Sequence, residues 1–224
     1  MSVWAVIVAA GRGERLGLDR PKAFANLGGR PLLAESLERL DTSEWIDAIV
    51  VVAPPDWEEP VVLLSEELGC SKVNASVPGG ETRAASVRAG LAEVPDEAAV
   101  VLVHDAARPL LAEEVIERLL TTLPEGWDGV IPGVPIADTV KRVDRDQVVE
   151  TLDRDGLVVA QTPQAFVWPA LRAAARGGGD ATDCAALVEA RGGRIKVVPG
   201  DRRLVKITDR SDLELVESWL TPAE

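Results

Sequence analysis

Tyrosine is absent from the 224-residue sequence, and several reactive residues are nearly so: His104 is the only histidine, and Cys70 and Cys184 are the only cysteines. A Ser-His-Asp triad therefore has one histidine to draw on, and no Gly-x-Ser-x-Gly elbow accompanies it. His104 is expected to be structural. Two distant cysteines in no metal-ligand spacing argue against a disulfide framework and fit a reduced, cytoplasmic compartment. No segment approaches the roughly 20 apolar residues of a membrane span. The apolar run near the N-terminus, Val3–Ala10, lacks a basic flank, so a buried strand is expected there and not a signal peptide. Basic charge is also scarce, with 24 Lys and Arg against 37 Asp and Glu and a net charge of −13. A field of that sign repels nucleic acid and anionic membranes, and neither is an expected partner. Any local cluster of Lys and Arg gains meaning against that background.

What is present is an ordinary globular composition, 46% hydrophobic and 27% charged, in a length that suits a single domain over 1–224. Continuous apolar runs at Val3–Ala10, Ile46–Ala53 and Ala98–Val103 predict strands buried on both faces. A shorter strand is expected at Lys72–Val77 and another at Gly129–Val134. Helical spacing predicts helices over Pro31–Leu40, Pro60–Leu68, Thr82–Leu91 and Ala112–Leu123. The alternation of strand and helix argues for a wound parallel sheet with right-handed crossovers. In such sheets ligands bind beyond the carboxyl ends of the strands. The polar segments there are Gly11–Lys22, Pro78–Arg83 and His104–Pro109.

From Asp138 to Val159 the pattern breaks into mixed polar and apolar residues, with turn candidates at Asp144–Asp146 and Asp155-Gly156. A protruding β-arm is expected at about 136–160. Beyond it, helices are expected at Pro169–Arg176, Asp183–Arg191 and Ser211–Leu220, a Gly-rich turn at Arg176–Asp180 and a strand at Ile195–Val198.

Several short motifs carry chemistry. The loop Ala9-Ala10-Gly11-Arg12-Gly13-Glu14-Arg15-Leu16-Gly17 can present backbone N–H groups to phosphates, and Arg15 with Lys22 can clamp a polyphosphate. It is not a P-loop, because no Gly-Lys-Ser/Thr closes it. It is a poor dinucleotide fingerprint, because its spacing is GxGxxxG and no acid ends the second strand. Read alone, it is equally a tight strand-to-helix turn. Asp105, just past a buried strand, is placed to hold Mg²⁺ on a triphosphate, and Arg108 to meet a phosphate; the plainer alternative is an Asp105–Arg108 pair. Gly79-Gly80 before a helix can read a base or ribose, with Ser86 adding a hydrogen bond and Thr82 a helix cap. Lys206, between Val205 and Ile207, is expected on a short strand, pointing away from both.

Taken in order, AAGRGERLGLDRPK (9–22), GGETRAASV (79–87), VHDAARP (103–109), DTVKR (138–142), TLDRDGL (151–157), QTPQAF (161–166), ATDCAALVE (181–189) and VKITD (205–209) resemble the 2-C-methyl-D-erythritol 4-phosphate cytidylyltransferase family of the non-mevalonate isoprenoid pathway. The resemblance spans nearly the whole chain. It implies a Rossmann-like α/β fold of nucleotide-diphospho-sugar transferase type, with a mostly parallel sheet and a β-arm reaching into the partner of a homodimer. It implies that CMP passes from CTP to methylerythritol phosphate with Mg²⁺ present. Ala9, Ala10, Gly11, Gly80, Glu81 and Ser86 would recognise the cytosine nucleotide. Arg15 and Lys22 would stabilise charge on the α-phosphate. Asp105 would help hold Mg²⁺ and substrate. Arg108, Thr139 and Arg154 would bind the sugar-alcohol phosphate, with Thr139 and Arg154 supplied by the other subunit, and Arg154 and Lys206 would position the attacking phosphate. Three positions depart from the family pattern: Cys184 where an acid often follows Thr-Asp, Glu81 where Asp is common, and Ala23 in place of Gln.

The chemistry agrees with the residues. A phosphate oxygen is already an anionic nucleophile, so attack on the α-phosphorus needs positioning and charge neutralisation more than a general base. A ribitol-5-phosphate cytidylyltransferase shares most of these motifs and is the nearest alternative. From another class, a non-catalytic nucleotide-binding module is the rival; the joint presence of Arg15, Lys22, Asp105 and Lys206 favours the enzyme.

Overall fold

Strands that are apolar on both faces must be covered on both sides, and this chain covers them with helices. The computed structural model describes residues 2–177 and 181–220. Its first half runs β1 (Val3–Val8), β2 (Asn26–Leu27), β3 (Arg30–Pro31), α1 (Leu32–Thr42), β4 (Ala48–Ala53), α2 (Glu58–Glu67), β5 (Val73–Pro78), α3 (Arg83–Ala92), β6 (Val100–Asp105) and α4 (Glu113–Thr122). The second half runs β7 (Gly129–Pro135), β8 (Val140–Asp144), β9 (Gln147–Leu152), β10 (Val158–Ala160), β11 (Gln164–Val167), α5 (Trp168–Arg176), α6 (Cys184–Glu189), β12 (Ile195–Pro199) and α7 (Arg210–Leu220). Among the described residues no helix is long and apolar enough to cross a membrane.

The main sheet has the order β10-β7-β11-β6-β1-β4-β5, with β12 also on β7. β1 is parallel to both β4 and β6, and β4 is parallel to β5. Their carboxyl ends therefore share one rim. Side chains alternate across β1: Ala5 and Ile7 join a core with Leu33, Leu37, Ile49, Leu102 and Ile116 on the α1 and α4 side. Val6 joins Val50, Val87, Leu91, Val101 and Phe166 on the α3 and α5 side. A smaller cluster, Leu27, Leu32, Leu110, Ile207 and Val216, seats α7 against the segment 205–208.

Helix α3 lies very close to the sheet. A methyl added at Gly90 would come within 2.5 Å of Val6 Cγ1 and 2.6 Å of Val52 Cγ2. Both valines are buried and stiff at χ1. Gly90→Ala is therefore expected to destabilise the fold by about 1–3 kcal/mol through overpacking, despite the helix propensity alanine brings. A lowered urea midpoint reads this out.

The expected α/β fold with a mostly parallel sheet is present, and the structure amends it in three places. First, β11 lies in the middle of the sheet, antiparallel to both β6 and β7, within a stretch noted only as a motif. Its Ala165 and Phe166 are buried, but the strand is too short to show a pattern. Second, the arm is narrower than 136–160. Within that stretch the β8–β9 hairpin forms a sheet of its own, with its turn at Asp144–Gln147, while β10 pairs antiparallel with β7 in the main sheet. Third, Val205–Thr208 forms no strand. Burial of Ile207 and a bond from its N–H to the Ala107 carbonyl, 2.8 Å, hold that segment in place. Within the expected Gly-rich turn at Arg176–Asp180, residues 178–180 lie outside the described residues.

Candidate active site

The rim of the sheet is built from three turns. After β1 the chain makes a glycine-rich loop in which Gly13 and Gly17 have φ of 70° and 62°, in the left-handed region that favours glycine. Gly13 has a second reason to be glycine: a Cβ there would lie 2.7 Å from Lys22 Cβ. The loop thus folds back onto Lys22, at the start of a single 3₁₀ turn over Lys22–Phe24. Gly11 faces open space, leaving its backbone approachable. After β5, Gly79 packs so closely on Ala10 that a Cβ would lie 2.2 Å from the alanine methyl. The two glycine loops therefore touch. Ser86, on α3, accepts from the Gly80 N–H at 3.1 Å and donates to the Thr82 carbonyl at 3.0 Å. Its hydroxyl shapes the loop, and Thr82 caps α3 by accepting from the Ala85 N–H.

Asp105 ends β6, beside Val8 of β1 in register. Its Oδ1 accepts from Arg83 Nε at 3.2 Å and Nη2 at 2.8 Å, and its Oδ2 accepts from Lys206 Nζ at 2.7 Å. The Asp105–Arg108 pair weighed from the sequence is absent. A tight turn, in which the Arg108 N–H donates to the Asp105 carbonyl, swings Arg108 away. Its guanidinium donates instead to the Leu204 carbonyl at 2.8 Å and, more weakly, to that of Ala160. Arg108 Nε is buried with no hydrogen-bond partner among the described residues.

Electrostatics follow from this packing. Burial pushes the Lys22 ammonium down to about 8, helped by the nearby charges of Lys206 and Arg15. Its Nζ donates to the Ile207 carbonyl. Burial works to raise the Asp105 pKa, but Arg83 and Lys206 outweigh it and hold the carboxyl well below the usual carboxylate range. His104 is fully buried, its ring between the Arg108 carbonyl and the Thr162 hydroxyl, and burial pushes it down to about 4. It is neutral at physiological pH, as a structural residue should be.

These turns enclose a cavity of about 300 Å³ lined by Ala9, Ala10, Gly11, Lys22, Gly80, Glu81, Ser86, Asp105 and Lys206, among others. Nine residues singled out from the sequence thus meet in one place. Arg15 is exposed and does not line the cavity, though its charge is felt at Lys22. A second cavity of about 230 Å³ is lined by Arg108, Gln161, Thr162, Gln164, Thr182 and Asp183, and it shares Arg83, Asp105 and Lys206 with the first. Thr139 and Arg154 line neither cavity. Both are exposed on the arm region, where Arg154 Nη1 donates to the Ala137 carbonyl.

The sequence reading missed Arg83 and the second cavity's Thr162, Gln164 and Asp183. The available signal for Arg83 was its place in the first turn of a helix that follows a glycine pair. No such signal marked Gln164, whose amide bonds to Asp183 and the N-terminus of α6 depend on the unforeseen β11.

Mg²⁺ can be tested against the donor set. Among the described residues no group of three His, Cys, Asp or Glu could hold a metal ion. Mg²⁺ on nucleotides, however, takes one or two carboxylates and fills its shell with phosphate oxygens and water. Asp105 stays ionised, and Oδ2, with one donor on it, retains acceptor capacity. The residues fit such an ion.

Comparison with known proteins places this geometry. The chain matches the family model for 2-C-methyl-D-erythritol 4-phosphate cytidylyltransferase (IspD) over residues 3–222. A protein of that name from Frankia casuarinae is 46% identical over 220 residues, covering 97% of this chain and 81% of the relative. One from Nocardia farcinica is 45% identical over 220 residues, covering 98% and 94%. The crystal structure of the Thermus thermophilus enzyme of that name superposes with a TM-score of 0.78 at 31% identity, over 98% of each chain. The chain belongs to the 2-C-methyl-D-erythritol 4-phosphate cytidylyltransferase family.

Proposed function

We propose that the chain transfers CMP from CTP to 2-C-methyl-D-erythritol 4-phosphate, releasing pyrophosphate and giving 4-diphosphocytidyl-2-C-methyl-D-erythritol. The observation that carries this reading is the convergence of Lys22 and Lys206 on a glycine-walled cavity at the strand ends, with Arg15 close enough to act on Lys22. Cations crowded this way repel one another, and a polyanion relieves the repulsion. Backbone groups of Ala9, Ala10, Gly11 and Gly80, with Glu81, take the nucleotide, and Ser86 keeps the Gly80 turn in shape. Lys22 and Arg15 neutralise charge that grows on the α-phosphate as the acceptor's phosphate oxygen attacks in line and pyrophosphate leaves. Arg108, Thr139 and Arg154 take the sugar-alcohol phosphate. Lys206 and Arg154 orient its attacking oxygen. Asp105 would hold Mg²⁺, which when bound offsets phosphate charge.

The arm supports a homodimer with arm exchange. β8 and β9 pair only with each other, and an isolated hairpin is marginal in water. Val143, Val148 and Val149 on it are each more than half exposed. A partner subunit would cover them and receive Thr139 and Arg154. Cys70 and Cys184 are both free thiols, which supports a reducing, cytoplasmic setting.

Pyrophosphate release tests the reading. Release is expected with CTP and methylerythritol phosphate, and little with ATP, GTP or UTP. Faster release with ribitol 5-phosphate than with methylerythritol phosphate would overturn the acceptor assignment.

A further inference from the structure

We infer that Arg83 is a positioning residue for the transfer, acting through Asp105 to hold the Lys206 ammonium at the wall between the two cavities. The inference rests on the reading of the site given above. It starts from how Lys206 is held. The segment 205–208 has no regular structure, and Lys206 is 40% exposed, so nothing in the backbone ladder orients its long side chain. The fixed point is Asp105 Oδ2, 2.7 Å from Nζ.

That oxygen's direction is set by the other one. A carboxylate on a single torsion can turn unless one of its oxygens is held, and the two N–H groups of a guanidinium fork can converge on that oxygen. Arg83 supplies that fork, with Nε at 3.2 Å and Nη2 at 2.8 Å, both on Oδ1. Arg83 is itself restrained, at the first position of α3 directly after the Thr82 cap and only 26% exposed.

The surroundings of Arg83 favour this assignment. Another polar neighbour is the Cys184 sulfur. Burial pushes that thiol up to about 11, so it is neutral. The guanidinium therefore spends its charge on Asp105. Arg83, Asp105 and Lys206 are also the three residues that line both cavities. They stand where nucleotide and acceptor must meet. A displacement there should affect attack by the acceptor more than capture of CTP.

Steady-state kinetics of Arg83→Ala and Arg83→Lys, with each substrate varied in turn, test this. Arg83→Ala is expected to lower kcat/KM for the acceptor about 100-fold, the scale of a 1 Å misplacement. The KM for CTP should stay within about threefold, since uniform nucleotide binding is not what is lost. Arg83→Lys keeps the charge without the fork and should fall between. Added guanidinium should restore part of the Arg83→Ala rate and none of the Lys206→Ala rate. An acceptor kcat/KM within about threefold of wild type, or equal losses for both substrates, overturns the inference. A crystal structure of Arg83→Ala gives a reading independent of activity: the Asp105 carboxylate should have turned and carried Lys206 Nζ away from its wild-type position, and an unchanged position of Nζ overturns the inference. If the wild type itself releases no pyrophosphate, the proposed reaction falls, and that crystal structure still decides the role of Arg83.

Discussion

Replacing Lys22 with alanine is expected to lower kcat by about 10²–10³-fold, the effect of removing one preorganised charge from a developing oxyanion. The protein should remain folded. The Lys22 pKa of about 8 lies below its ordinary 10.5, so the folded state binds this proton more weakly than the unfolded chain does. The sign follows directly: stability contributed by this group rises as pH climbs from about 8 to 10.5, and below 8 the buried charge costs stability. Removing it at pH 7 relieves that cost, which offsets the lost bond to the Ile207 carbonyl. The thermal midpoint at pH 7 is therefore expected near the wild-type value. Activity runs the other way with pH, because Lys22 acts only when charged. In the wild type, kcat/KM for CTP should fall as pH rises through about 8, since that ratio reports the free enzyme. Lys22→Arg should move this limb to higher pH, because a guanidinium stays protonated. Near-normal turnover in Lys22→Ala, with pyrophosphate release as the readout, would remove Lys22 from the mechanism.

How much of this site is legible in the sequence depends on how each residue is held. Gly11 and Asp105 stand at the ends of long apolar strands, Lys22 in the loop after the first and Gly80 after the shorter β5, and the parallel topology brings those ends together. They were readable. Lys206 was noticed but placed on the wrong element. The alternation of Val205, Lys206 and Ile207 looks like a strand, while a tertiary cluster with Leu27, Leu32 and Val216 is what buries Ile207. Arg83, and not Arg108, is the partner of Asp105. Sequence distance offers Arg108 as the alternative partner, but a four-residue turn aims it elsewhere, and Arg83 arrives from 22 residues away because α3 starts on the same rim. β11 was invisible for a related reason. Four residues are too few for a period, and its pairing antiparallel between β6 and β7 is a long-range fact. The arm announced itself by lacking what the sheet strands have, a continuous apolar run. None of the buried clusters among the described residues includes a residue of β8 or β9.

Two inactive variants should restore activity to each other if the arm serves the neighbouring subunit. Lys22→Ala removes the nucleotide clamp, and Arg154→Ala removes an arm guanidinium that lines neither of the two site cavities of its own chain. Homodimers of either variant have a defect in both sites. In a mixed dimer with exchanged arms, one site takes Lys22 from the Arg154→Ala chain and Arg154 from the Lys22→Ala chain, and is intact. The second site carries both defects. Random co-assembly makes half of all dimers mixed, so co-expression in equal amounts should return about a quarter of wild-type activity, as a two-fold interface requires. If Arg154 instead folds back onto its own chain, every site in every dimer carries at least one defect, and mixing returns nothing. Within its own chain Arg154 donates to the Ala137 carbonyl at the base of the arm, and the β8–β9 hairpin pairs with no other strand. Its valines need a cover, and the same partner surface that supplies one would receive the guanidinium.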